Sequence, residues 1–185
     1  LNPGTWELGN PSTLAPLQDT KRVNPNAKAL AAFQEEVNEY VEIRGKLERT
    51  LPPVPAEATA EQLDQRQRAL AALIQKARHG AKQGDLFVRD VRPILRRLLN
   101  GVFTGRGGRE LRGVVMDENP GDLVKLTING RYPDTIPLSS VPPQILSVLP
   151  RLPDGVEYRF IGSSLILLDA HAHIIADYMT GAVPR

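Results

Sequence analysis

The hydrophobic period changes from about 3.6 residues to about 2 along this chain, and that switch restricts the fold more than any other feature. Leu30, Phe33, Val37, Tyr40, Leu47 and Leu51 recur at helical spacing, with Arg44 in the one polar slot. Leu63, Leu70, Leu73, Ile74 and Ala77 follow the same rule, as do Phe87, Val91, Ile94, Leu95, Leu98 and Leu99. From Leu123 the pattern alternates instead. Leu123–Asn129, Val156–Gly162, Leu165–Asp169 and His173–Met179 each read as strands. The chain is therefore expected to be α+β: an N-terminal helical hairpin, then a small three- to four-stranded antiparallel sheet covered by short helices. A lone two-stranded hairpin is marginal in water, so helices must cover one face.

Punctuation residues divide the chain into an extended arm (1–25), a helical hairpin (26–80) and a compact α+β domain (81–185). The arm carries three Asn-Pro turn signals and Trp6, an apolar anchor for its own core or for a partner. Asn24 and Pro25 suit a helix start. Pro52, Pro53 and Pro55 cannot continue that helix. Thr59 with Gln62 forms a capping box for a second helix, which should return antiparallel to the first and stop near Gly80. A third helix is expected over 89–100, ending at Gly101, then a flexible basic loop, Gly105 to Arg109. A short helix should reach Glu118, and another should cover Pro142–Leu149 with Ser139 or Ser140 as cap.

Composition removes several chemistries. The 185 residues include no Cys, so there is no disulfide, thiolate metal site or cysteine nucleophile. No apolar run approaches the roughly 18–20 residues that span a bilayer. Gly-x-Ser-x-Gly and His-Glu-x-x-His motifs are absent, which argues against an enzyme. Aromatic residues are only 5% and show no stacking pattern, so nucleic acid is not an expected partner. Residue 1 is Leu rather than Met, and signal-peptide cleavage is one reading of that start, trimming the other.

Net charge is +2, but it is unevenly spread. Eight acidic side chains face three basic ones between Glu35 and Asp64; nine basic face three acidic between Arg78 and Arg112. Either the two stretches lie side by side and neutralise each other, or the basic one stands exposed to an anionic partner. Arg92, Arg96, Arg97, Arg106 and Arg109 are the candidate anion or partner surface. Arg92 and Arg96 are one helical turn apart. The Gly105–Arg109 loop before a helix can also cradle an anion, although it lacks the Gly-Lys-Ser/Thr ending of a phosphate loop.

Asp169-Ala170-His171-Ala172-His173 is the most suggestive cluster. In an extended chain Asp169, His171 and His173 share a face, with Asp177 further along, and that set suits a divalent transition metal. The competing reading is a solvated turn with Asp169 as its cap, and no cofactor.

The run Val141-Pro142-Pro143-Gln144-Ile145-Leu146, then Leu149 to Gly162 (LPRLPDGVEYRFIG), Leu165-Ile166-Leu167-Leu168-Asp169 and Ile174-Ile175-Ala176-Asp177 resembles an uncharacterised bacterial family. Ala81 to Phe87 and the Arg96-Arg97-Leu98-Leu99 ending add to the resemblance, which spans roughly residues 27–180. It implies a periplasmic or otherwise extracytoplasmic protein, usually made with an export signal, and no mechanism. The tail is also similar to small periplasmic modules associated with nickel and cobalt efflux. The leading expectation is a non-enzymatic extracytoplasmic binding or scaffold protein with a protein partner. The alternatives are a periplasmic metal-binding protein using the His-x-His turn, and an accessory subunit of a membrane-associated complex with peripheral lipid contact.

Overall fold

The computed structural model describes residues 24–118 and 124–184. Trp6 and the arm up to residue 23 lie outside the described residues. Helix α1 (Pro25–Glu48) begins where the Asn24 side chain accepts the Asn26 N–H at 3.0 Å. Helix α2 (Ala60–Ala77) opens with both halves of the capping box: Thr59 Oγ1 accepts the Gln62 N–H, and Gln62 Oε1 accepts the Thr59 N–H. The two helices run back along one another. Arg66 early in α2 pairs with Glu48 at the end of α1, and Arg78 beyond α2 sits 4.9 Å over the Tyr40 ring.

Helix α3 (Val91–Thr104) runs past Gly101, because Val102 and Phe103 extend its buried face. An exposed glycine costs a helix only about 1 kcal/mol, less than a buried Phe contributes. The expected flexible loop is a tight corner instead. Helix α4 (Gly108–Glu118) starts immediately, with Gly108 buried so close to the Phe103 carbonyl that a Cβ would collide with it. Helix α5 is shorter than expected, Pro143–Leu146, with Pro142 at its cap and no side-chain cap from Ser139 or Ser140.

Strands β1 (Val156–Ile161), β2 (Ser164–Asp169) and β3 (Ile174–Met179) form an antiparallel meander in the order β1-β2-β3. The fold is α+β, with the helices ahead of the sheet. All of β2 is buried, because both faces of the sheet are covered. On one face Val156, Tyr158, Phe160, Leu165, Leu167, Ile174 and Met179 join the helices in one core with Phe33, Val37, Leu70, Ile74, Leu95 and Leu99. The inner face of the hairpin thus belongs to the same core as the sheet. On the other face Ile161, Ile166, Leu168 and Ile175 pack on Tyr132 and Ile136, with Val124 and Leu126 beside them.

The expected fourth strand over 123–129 does not form; Leu123 itself lies outside the described residues. Val124 and Leu126 supply apolar cover without a backbone ladder. Asn129 then takes φ 57°, which ends any extended run. The next residues pair instead with the outer edge of β3: Asn129 N–H to Ile175 O, Ile175 N–H to Gly130 O, and Tyr132 N–H to His173 O. Arg78 fixes Asn129 from the helical side, donating to its Oδ1 at 2.6 Å.

Candidate functional site

Asp169 ends β2 with no exposed surface. One carboxylate oxygen, Oδ1, accepts the N–H groups of His171 (2.9 Å) and Ala172 (3.0 Å), closing the β2–β3 turn. The other, Oδ2, accepts the Tyr40 hydroxyl at 2.5 Å. Tyr40 and Arg44 are one turn apart on the inner face of α1. Arg44 brings Nη1 to 3.7 Å from Asp169 and donates Nη2 to the Asp154 carbonyl at 3.0 Å. Burial, and then the negative charge of Asp169, hold the Tyr40 phenol well above its usual range. Gly155 sits against this junction at φ 75°, and a Cβ there would strike both the Arg44 guanidinium and the His171 ring.

The two imidazoles point elsewhere. His171 Nδ1 is 2.9 Å from Glu48 Oε2, at the end of α1. His173, at φ 54°, turns its ring edge-on to Tyr132 in the other layer. Its imidazole is pushed below the usual value by burial and then by Arg131. The alternation that would align Asp169, His171 and His173 is broken by the turn, and Asp169 is consumed as its cap. Among the described residues no group of three or more His, Asp or Glu side chains is placed to hold a metal ion.

Asp177 shares the helical side of the sheet with Asp169, but through a bulge rather than by strict alternation along an extended chain. A register shift between Leu167 and Leu168 leaves Ala176 without a partner in β3. That bulge turns Asp177 toward the helical layer, the same side as Ile174. There its carboxylate accepts the N–H groups of Gly84, Leu86 and Phe87 at 2.7–3.1 Å, and that of Tyr178. Desolvation pushes its carboxyl above the usual carboxylate value, although these four donors pull the other way. The only sequence signal was an Asp inside an apolar strand, combined with a Gly-Asp loop free to wrap around it.

The five candidate arginines do not form one site. Arg92 donates Nε to the Phe87 carbonyl at 2.6 Å and packs over Gly84, whose φ of 95° and missing Cβ make room for the guanidinium. Arg96 donates to the Thr180 carbonyl at 2.9 Å. Both brace the fold. Arg97 on α3 and Arg106 and Arg109 at the α3–α4 corner are exposed, as is Arg89 just before α3. Helices α1 and α3 pack together, but among the described residues no ion pair joins the acidic stretch to the basic one. Glu35, Glu39 and Glu42 remain exposed along α1.

Clefts lie elsewhere again. One of about 480 Å³ runs between β1 and the 140–152 segment. Another, of about 370 Å³, lies at the α3–α4 corner beside Arg106. Among the described residues no helix is long and apolar enough to cross a membrane. No family model, curated protein or solved structure matches the chain.

Proposed function

We propose that this chain is a non-enzymatic binding or scaffold protein, working outside the cytoplasm, that meets an acidic protein partner through the arginines around α3. The observation that carries the reading is the unneutralised charge. Arg89, Arg97, Arg106 and Arg109 are exposed and without an ion pair among the described residues, while Glu35, Glu39 and Glu42 of the same chain are exposed and do not reach them. Like charges crowded on one stretch repel one another, and an anionic surface relieves that repulsion. A non-enzymatic role is supported by the two buried carboxylates, which are enclosed by the fold's own donors. The resemblance of the C-terminal run to an exported bacterial family supports the location.

The test is affinity capture from a bacterial envelope extract with three tagged proteins. These are the native chain, an Arg97→Glu/Arg106→Glu/Arg109→Glu variant, and a Glu35→Gln/Glu39→Gln/Glu42→Gln variant. A stoichiometric protein held by the first and third, lost from the second and released by about 0.5 M salt is the expected result. Equal capture by the arginine variant, or retention by anionic vesicles alone, overturns the reading.

A further inference from the structure

The cleft beside β1 is built rather than incidental. Its floor and walls include Val141, Leu146, Leu152 and Val156, and its volume of about 480 Å³ lies inside the roughly 300–1,000 Å³ range of small-ligand sites. The walls are fixed. Ile145 anchors α5 in the core with no exposed surface, while Leu146 beside it is 46% exposed along the cleft. The Tyr158 hydroxyl donates to the Pro150 carbonyl at 3.0 Å, and the Val156 N–H to the Pro153 carbonyl at 3.2 Å, pinning the 150–153 segment to the strand. Pro142, Pro143, Pro150 and Pro153 stiffen the same segment.

The polar side of the cleft is cationic. Arg159 lines it, donating Nη1 to the Tyr158 carbonyl and pairing through Nη2 with Glu157. Its Nε is buried without a partner. A guanidinium has five N–H donors in a fork that matches a carboxylate, so this one has donors to spare. Arg151, exposed and without an ion pair among the described residues, stands on the same cleft. Among the described residues Glu157 is the one acidic side chain lining it, and Arg159 already holds that carboxylate.

We propose that this cleft binds a small amphipathic carboxylic acid. The apolar chain lies against Val141, Leu146 and Leu152, and the carboxylate meets Arg159 and Arg151 in place of part of the Glu157 pairing. Neither the charged surface of α3 nor its partner enters into this. Apolar burial supplies attraction without direction, and the charge-assisted bond to Arg159 selects the anion.

The test is titration of the full chain with sodium octanoate, followed by amide NMR shifts, with n-octanol and octylammonium as uncharged and cationic controls. Saturable shifts confined to residues 140–159 are expected for octanoate, with both controls at least about tenfold weaker. Arg159→Met should weaken octanoate by about tenfold or more. Glu157→Gln should tighten it, because the competing carboxylate is gone. Equal affinity for octanol, shifts centred on the α3 arginines, or unchanged binding by Arg159→Met overturns the proposal. If Arg159→Met lowers the melting temperature, Glu157→Gln decides alone: tighter octanoate binding supports the site, and unchanged or weaker binding overturns it.

Discussion

Replacing Asp177 by Ala tests whether one carboxylate holds the 84–87 loop on the sheet. Two of the N–H groups it satisfies, those of Leu86 and Phe87, are buried and donate to Oδ2 at 2.9 and 2.7 Å. A buried donor left without a partner costs about 1–3 kcal/mol, so these two together cost about 2–6 kcal/mol. The Gly84 N–H is only partly buried and can turn to water. Relief of the desolvated carboxylate, whose charged form the fold disfavours, offsets part of the loss. The expected destabilisation is about 3 kcal/mol, against a total stability of roughly 5–15 kcal/mol. Asp177→Asn keeps one acceptor oxygen for the loop and should cost about 1 kcal/mol. Urea unfolding gives both numbers, and hydrogen exchange at Leu86 and Phe87 shows where protection is lost. An Asp177→Ala protein within about 1 kcal/mol of the native chain, with both amides still protected, would refute the reasoning.

The same logic applies at the other buried carboxylate and at the turn. Tyr40→Phe removes the hydroxyl donor to Asp169 Oδ2; the expected loss is about 2 kcal/mol, or roughly 4–8 °C in Tm by calorimetry, and an unchanged Tm counts against the junction. The His173 imidazole has a folded-state pKa below its ordinary 6.5, so the unfolded chain binds the extra proton. Its contribution is complete above pH 6.5 and is lost as the pH falls through that value toward the folded one. His173→Asn, which tolerates the positive φ, should flatten that part of the stability–pH curve in chemical denaturation; an unaltered curve sinks the assignment.

Much of this fold was legible because single residues fix local geometry. The Thr59–Gln62 capping box sets the start of α2; alternation sets β1, and short apolar runs bounded by turn residues set β2 and β3, nearly to the residue. The misreadings share a cause. Val124 and Leu126 alternate because they pack on a sheet face, and alternation alone does not reveal whether a backbone ladder accompanies it. Gly101 reads as a stop, yet the burial of Phe103 carries α3 through it. At the His-x-His cluster the period fails inside a turn, and the alternative reading, Asp169 as the cap of that turn, is the one the hydrogen bonds follow. Of the arginines, spacing could pair Arg92 with Arg96, but it could not show that both are spent on backbone carbonyls.

The two buried aspartates explain why such a small sheet holds a single arrangement. Asp169 and Asp177 both face the helical layer, where apolar side chains of similar size would pack with less desolvation. An apolar residue at 169 would not choose between positions of α1, because burial has no direction. The Tyr40 hydroxyl and Arg44 guanidinium do choose, since they reach Asp169 only at one rotation and height of the helix. The N–H groups of Gly84, Leu86 and Phe87 impose the same condition on the entry to α3. The Ala176 bulge is what allows both carboxylates to face one side, with Asp177 opposite Leu167, two residues before Asp169 on β2. Helices α1 and α3 are thereby indexed to the sheet independently, and the surfaces they carry, acidic on one and basic on the other, are held at fixed positions on the molecule.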